Sequence, residues 1–323
     1  MCCHRSIEVS HIQIINDSHS LPSRAERTVS SIGVFDGVHR GHQRLLDLVK
    51  DEAKSQSIPS VVVTFDKHPT QITSPKNAPK ILTPLNRKIQ LLEELGIDYV
   101  YVLAFNEHRA STPAAQFIRE IFFEAIRAES IYVGEDFQFG HKRLGNVDLL
   151  ESEGKSLGIA VNGVGLFTSG YPSKGIISST VIRKHLQDGE LALANEKLGR
   201  RYEIAGRVVS GDKRGRTIGF PTANISVDTE IAVPADGVYA AWYLLKDGTR
   251  KLAAVNIGKR PTFSDSHMSV IEAHILDFDD DLYGDNAVLV FEKRIRPEKK
   301  FAGLKEFQQQ LEIDLAEIRE TLT

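Results

Sequence analysis

Five short runs in the first half of the chain are apolar and largely β-branched: Ser31–Phe35, Ser60–Phe65, Tyr99–Leu103, Ser130–Val133 and Ile159–Val164. Runs without an alternating polar face read as strands buried on both sides, as in a parallel sheet. Between them, Gln43–Gln56, Pro84–Leu95 and Pro113–Ala128 place apolar residues three and four apart, with Pro84 and Pro113 where helices can start. Strand and helix in alternation predict a doubly wound, Rossmann-like α/β domain with a parallel sheet.

The grammar changes near residue 201. Short strand-like runs follow at Glu203–Val209, Gly237–Leu245, Lys251–Ile257, Val270–Leu276 and Ala287–Arg296, separated by turns such as Gly211-Asp212, Asp247-Gly248 and Tyr283-Gly284-Asp285. These predict a small antiparallel β-barrel. Leu304, Phe307, Leu311, Leu315 and Ile318 mark a closing amphipathic helix, and Val181–Leu198 reads as short connecting helices. The expected division is residues 1–186, a linker over 187–200, and 201–323.

A chain of 323 residues suits two domains. With 41% hydrophobic and 26% charged residues and a net charge of −3, it reads as a globular protein without a nucleic-acid partner, so any phosphate site has to be local. The two cysteines, Cys2 and Cys3, are adjacent and cannot staple a fold, which fits a reducing cytoplasm. His4, Arg5, Glu8, Asn16, Asp17 and Arg24 interrupt the early apolar runs, so neither a signal peptide nor a transit peptide is expected. No stretch approaches the roughly 18 apolar residues of a membrane span.

The first chemically dense segment, Gly33-Val34-Phe35-Asp36-Gly37-Val38-His39-Arg40-Gly41-His42, leaves the first predicted strand and opens a helix. That is where an α/β sheet binds phosphate. Gly37 and Gly41 let backbone approach an anion, the helix start offers unpaired N–H groups, and His39 and His42 share one face. Two imidazoles so placed can stabilise a phosphoryl group as it gains charge. A tight turn with two surface histidines would show the same spacing. Zinc would need further ligands, for which His68 is the obvious candidate.

His39-Arg40-Gly41-His42 resembles the H-x-G-H signature of the nucleotidylyltransferase superfamily, and Gly33 with Phe35-Asp36-Gly37-Val38-His39 resembles its FMN adenylyltransferase branch. Ile177-Ser178-Ser179-Thr180-Val181-Ile182-Arg183, by itself a capped helix with an arginine one turn in, resembles the I-S-S-T-x-I-R motif of that branch. The resemblance implies catalytic roles for His39, His42 and Arg183. It implies ATP contacts for Gly33, Phe35, Asp36, Gly37, Gly41, Ser178, Ser179 and Thr180. Val133-Gly134-Glu135-Asp136-Phe137-Gln138-Phe139-Gly140 resembles the flavin-pocket segment, with Asp136 in it and Phe137 or Phe139 against the ring. In Thr64-Phe65-Asp66-Lys67-His68-Pro69 the family usually has Pro where Lys67 stands, a departure that gives the segment a cation able to meet phosphate.

The second dense segment, residues 206–224, mixes glycine, base and hydroxyl without a Walker G-K-[ST]. Gly219-Phe220-Pro221-Thr222-Ala223-Asn224 resembles the G-[FY]-P-T-A-N signature of riboflavin kinases, and Val255–Phe263 and Ile271–Leu276 resemble further segments of that family. The resemblance implies that Thr222 and Asn224 hold Mg²⁺ with ATP, that Gly211, Lys213, Gly215, Arg216, Gly219 and Pro221 contact ATP, and that Glu272 is the base. Alone, Glu272 would read as a solvated strand residue, and Asp277–Asp281 reads as a solvated turn.

From about residue 31 to 323 these segments stand in the order of the prokaryotic bifunctional riboflavin kinase/FMN adenylyltransferases. The implied activities make FMN from riboflavin and FAD from FMN, each with ATP. A single-activity nucleotidylyltransferase lacks the P-T-A-N half. A flavin-binding regulator would not need His39, His42, Arg183, Thr222, Asn224 and Glu272 together.

Overall fold

A computed structural model describes residues 12–322 apart from 18, 20, 24, 166, 170–174, 211–219 and 260–268. Its contacts divide the chain into two compact units, Met1–Ile177 and Ser178–Thr323.

The first unit is built on a six-stranded sheet in the order β1-β4-β3-β2-β5-β6. The strands are β1 (Gln13–Asn16), β2 (Thr28–Ile32), β3 (Ser60–Phe65), β4 (Tyr99–Leu103), β5 (Ala128–Gly134) and β6 (Ala160–Val164), and every pairing is parallel. Helices α1 (Arg40–Gln56), α2 (Thr70–Thr73), α3 (Leu85–Glu94), α4 (Glu107–Ser111), α5 (Ala114–Phe117) and α6 (Val147–Leu157) connect them. One buried cluster, with Phe117, Phe122, Ile131 and Phe139, and another, with Phe35, Leu46, Leu92 and Val100, supply its core. Such clusters are what a sheet buried on both faces requires.

Three sequence expectations shift here. The first strand spans Thr28–Ile32 rather than 31–35, because the chain leaves the sheet after Gly33 and Phe35 turns into the left-handed region at φ 49. Thr28, Ser30 and Ser31 are polar but fully buried, so hydropathy hid the strand's start. Thr28 Oγ1 donates to the Ile126 carbonyl at 2.8 Å, and Ser30 Oγ to that of Ser130 at 3.3 Å. The helix expected over 113–128 is α5 followed by a π-helix, Ile118–Ala125, and Ala128 already opens β5. The short edge strand β1 carries too little pattern to be seen in the sequence.

The second unit begins with α7 (Ser179–Asp188) and α8 (Leu191–Leu198) and continues as a closed antiparallel barrel in the order β10-β13-β12-β11-β14-β9. Its strands are β9 (Tyr202–Val209), β10 (Ala223–Ser226), β11 (Gly237–Leu244), β12 (Arg250–Lys259), β13 (Ser269–Ile275) and β14 (Asn286–Pro297). Closure leaves no free sheet edge. Two-residue strands β7 (Thr168–Ser169) and β8 (Gly175–Ile176) form a hairpin in the first unit. Helix α8 lies on the barrel: Asn195 donates to the Phe291 carbonyl at 3.1 Å and accepts from the Tyr202 amide at 2.7 Å. The closing helix, α9 (Leu304–Leu322), buries Ile318 and the Asp314–Arg296 ion pair, while Leu304 at the head of the expected stripe is 58% exposed.

Candidate active sites

In the first unit the chain between β2 and α1 turns sharply, with Phe35, Gly37 and Val38 at φ 49, 86 and 40. Non-glycine residues stay in that region only where their surroundings hold them. Phe35 and Val38 are anchored by burial, being 2% and 1% exposed. Asp36 is buried as well, and its carboxylate accepts from the amides of Leu82 (2.9 Å) and Thr83 (3.0 Å). Asp36 therefore ties the loop to the segment before α3.

The loop delivers two histidines to the start of α1. His39 caps the helix, its Nδ1 accepting from the His42 amide at 3.3 Å. The two rings stack at 3.6 Å and 14°, and Phe35 meets His42 edge-on at 5.1 Å. His42 Nδ1 is buried without a hydrogen-bond partner among the described residues. Burial holds the His42 proton affinity well below the ordinary histidine value, and His39 and Lys88 lower it further. A Cβ at Gly41 would stand 3.2 Å from the His39 ring, close enough that the ring would have to shift, and 3.5 Å from the Ile177 carbonyl.

Sequence reasoning passed over Lys88 of α3. It is 5% exposed and donates to the Val34 carbonyl at 2.8 Å and to Thr64 Oγ1 at 3.1 Å. Burial lowers its affinity for a proton to a pKa of about 8, against the opposing pull of Asp36 and Asp66.

The carboxyl ends of the parallel strands carry aromatics, where open α/β sheets take their ligands. Phe65, the last residue of β3, and Phe105, just past β4, meet edge to face at 5.4 Å, a pair the sequence did not single out. Past β5, Asp136 is exposed and Phe137 half-buried, stacked at 5.2 Å on Phe139. Phe139 is 7% exposed and packs on Phe117 at 5.9 Å, so its ring belongs to the core and Phe137 offers the freer face. Lys67 Nζ lies 4.0 Å from Asp66. His68 Nδ1 accepts from the Thr70 amide at 3.2 Å. Among the described residues no group of three His, Cys, Asp or Glu could hold a metal ion.

Ser178 caps α7, its Oγ accepting from the Val181 amide at 3.3 Å. Ser178, Ser179, Thr180 and Arg183 all belong to the second unit.

In the barrel, strand register does the positioning. Glu272 of β13 stands opposite Asn224 of β10 on one side and Asn256 of β12 on the other. Directly paired residues share a sheet face. Ile271, Ala273 and Ile275 are buried within the barrel, so Glu272 and His274 take the other face. Thr222 is exposed and Asn224 is 7% exposed. A cavity of about 600 Å³ runs along Ser210, Pro221, Thr222, Asn224 and Asp279–Asp281, a size suited to a small ligand. The acidic turn therefore walls the cavity as well as meeting solvent, and Asp277 pairs with Arg319 at 2.7 Å. His274 Nδ1 donates to the Pro221 carbonyl at 2.8 Å, and Phe220 meets its ring at 5.7 Å. Asn256 and His274 lie within the riboflavin kinase-like segments, but the sequence assigned neither a role. Gly211, Lys213, Gly215, Arg216 and Gly219 lie outside the described residues.

Residues 21–181 match the FAD synthetase family and residues 198–322 the riboflavin kinase family. The bifunctional riboflavin kinase/FMN adenylyltransferase of Escherichia coli K12 is 39% identical over 312 residues, covering 96% of this chain and 97% of that protein. The chain belongs to the bifunctional riboflavin kinase/FMN adenylyltransferase family. The Bacillus subtilis member is 36% identical over 95% of this chain and 96% of its own. A crystal structure described as a macrolide-efflux protein from Streptococcus pneumoniae shares the fold at a TM-score of 0.84, with 30% identity over 95% of this chain and 99% of that one. The match of both halves makes this family member a transferase of two kinds. No helix among the described residues is long and apolar enough to cross a membrane.

Proposed function

We propose that the loop from Gly33 to His42 is where FMN is adenylylated and that the Asn224–Glu272–Asn256 face of the barrel is where riboflavin is phosphorylated. The observation carrying this reading is the His39–His42 stack at the amino end of α1, on a loop leaving a central parallel strand. Amides at a helix start and two fixed imidazoles suit a phosphate that gains negative charge.

In the first reaction an oxygen of the FMN phosphate attacks the α-phosphorus of ATP, a new P–O–P link forms, and pyrophosphate leaves. Backbone of Gly33, Phe35, Gly37 and Gly41 accommodates the ATP phosphates, and His39 and His42 stabilise the charge that develops. Asp36 acts one step back, fixing the loop through Leu82 and Thr83. By family resemblance Ser178, Ser179, Thr180 and Arg183 also serve the phosphates. Phe137, Phe65 and Phe105 supply aromatic surface for the isoalloxazine, with Asp136 at its rim.

In the second reaction Glu272 takes the proton of the riboflavin 5′-hydroxyl while that oxygen attacks the γ-phosphorus and ADP leaves. Thr222 and Asn224 offer a hydroxyl and an amide oxygen on one cavity wall, a neutral, hard donor pair that fits a magnesium ion arriving with ATP phosphates. Such an ion would neutralise phosphate charge. Pro221 lines the same cavity, and Gly211, Lys213, Gly215, Arg216 and Gly219 complete the ATP contacts in this reading.

Incubating the full chain with riboflavin, ATP and Mg²⁺ and separating the flavins should yield FMN, then FAD. Residues 1–186 and 187–323, expressed apart, should divide the reactions, adenylylation in the former and phosphorylation in the latter. Riboflavin phosphorylation by the first piece would reverse the assignment.

A further inference from the structure

Neither reaction uses Lys88. A buried ammonium is costly, and an apolar side chain of similar size usually serves stability as well or better. Its place in the fold points to another task. Lys88 Nζ donates to the Val34 carbonyl and to Thr64 Oγ1, and Thr64 Oγ1 donates to the same carbonyl at 3.2 Å. Val34 immediately precedes Phe35, the residue turned to φ 49 whose ring edge rests on His42. Asp36 secures the loop from the next position through the Leu82 and Thr83 amides. Among the described residues, Lys88 and Thr64 are the side chains that clamp the carbonyl leading into the strained turn.

We propose that Lys88 is a positioning residue for adenylyl transfer: with Thr64 it holds the Val34 carbonyl, and so sets the loop that presents His39 and His42. This rests on the reading of that loop as the adenylylation site. Lys88 acts through backbone and need not touch substrate. Its charge is also felt at His42, whose proton affinity it helps to lower, while Asp36 and Asp66 face the ammonium itself.

The test uses the full chain carrying Lys88→Met or Thr64→Val, with both reactions assayed on each preparation. Lys88→Met should lower kcat for FMN to FAD by about 10²-fold, the scale of misplacing catalytic groups by an ångström. KM values for FMN and ATP should stay within about threefold, as expected when substrate binding is spared. Thr64→Val, which removes only the relay hydroxyl, should cost about tenfold, or one hydrogen bond's worth. Riboflavin phosphorylation should be unchanged in both, reporting an intact barrel, and far-ultraviolet circular dichroism matching the wild type reports a folded parallel-sheet unit. By NMR, His42 should titrate at higher pH in Lys88→Met than in the wild type, because one of the charges that lower its proton affinity is gone. Wild-type adenylylation with unimpaired kcat in the folded variants overturns the proposal alone. If Lys88→Met does not fold, a normal kcat in Thr64→Val overturns it. A wild-type chain that makes no FAD from FMN overturns the site reading and this proposal together.

Discussion

In the parallel-sheet unit the candidate chemistry rides on a loop that leaves a strand, whereas in the barrel it rides on the strands themselves. The loop needs buried polar anchors, Asp36, Thr64 and Lys88, because Phe35 and Val38 adopt backbone conformations that side chains resist. The barrel needs none of these to place Glu272, since antiparallel register sets it between Asn224 and Asn256. A loop site can bring glycine amides and a helix start to a phosphate; a strand site can fix a single carboxylate with little strain. Substitutions should therefore act differently on the two reactions, and each should leave the other untouched.

Glu272→Gln is the sharpest test of the strand site. It keeps size and most hydrogen bonding but removes basicity, and should slow FMN formation by about 10² to 10⁴, the range for positioned proton transfer. FMN supplied from outside should still become FAD at the normal rate. Near-normal kinase turnover would leave positioning by Thr222 and Asn224 as the account of that site. His42→Ala comes next, with a loss of about 10² to 10³ in adenylyl transfer, the scale for one preorganised group at developing charge. Equal loss of both reactions in a folded His42→Ala chain would break the two-site comparison.

How far each site could be read from sequence follows the same contrast. The two sheet classes were legible because hydropathy without alternation and hydropathy with turns are different signals. The loop motif was legible too, but its support was not: Lys88 looks like any surface lysine in an amphipathic helix, and only the fold turns it inward. Phe139 and Phe137 are indistinguishable as letters; packing against Phe117 assigns one to the core. In the barrel, Asn256 lay in a family-like segment without a role until register placed it across from Glu272. The strand β10, which carries Asn224, escaped notice because four residues after a proline-threonine turn carry too little pattern.

Two glycines sharpen the comparison at smaller scale. A methyl at Gly41 would stand 3.2 Å from the His39 ring, which can shift, so Gly41→Ala should cost adenylyl transfer about tenfold through the displaced stack. A methyl at Gly206 would stand 2.5 Å from the Ser226 carbonyl, and backbone in a closed barrel cannot give. Gly206→Ala should therefore destabilise the barrel by about 1 to 3 kcal/mol, as overpacking does, and weaken phosphorylation through the β9–β10 pairing that carries Asn224. A tolerant barrel and an unaffected loop would both count against rigid placement.

The smallest effect expected is on stability in mild acid. His42 binds a proton more weakly in the folded chain than in the unfolded one, where its value is the ordinary 6.5, chiefly because the fold buries the ring. Below that pH the unfolded chain takes up a proton that the folded chain refuses. Proton uptake on unfolding means that stability falls as pH falls through the window beneath 6.5, and that His42 contributes no slope above it. His42→Ala should flatten that acid limb. The single tryptophan, Trp242 on β11, belongs to the barrel, while helices α1 to α6 belong to the parallel-sheet unit. Urea titrations followed by far-ultraviolet circular dichroism should thus show a difference in acid slope between wild type and His42→Ala, and Trp242 fluorescence should show little or none. Equal acid slopes by circular dichroism in the two proteins would mean that the His42 ring is not held neutral by its site, and that the loop is more open to water than its burial implies.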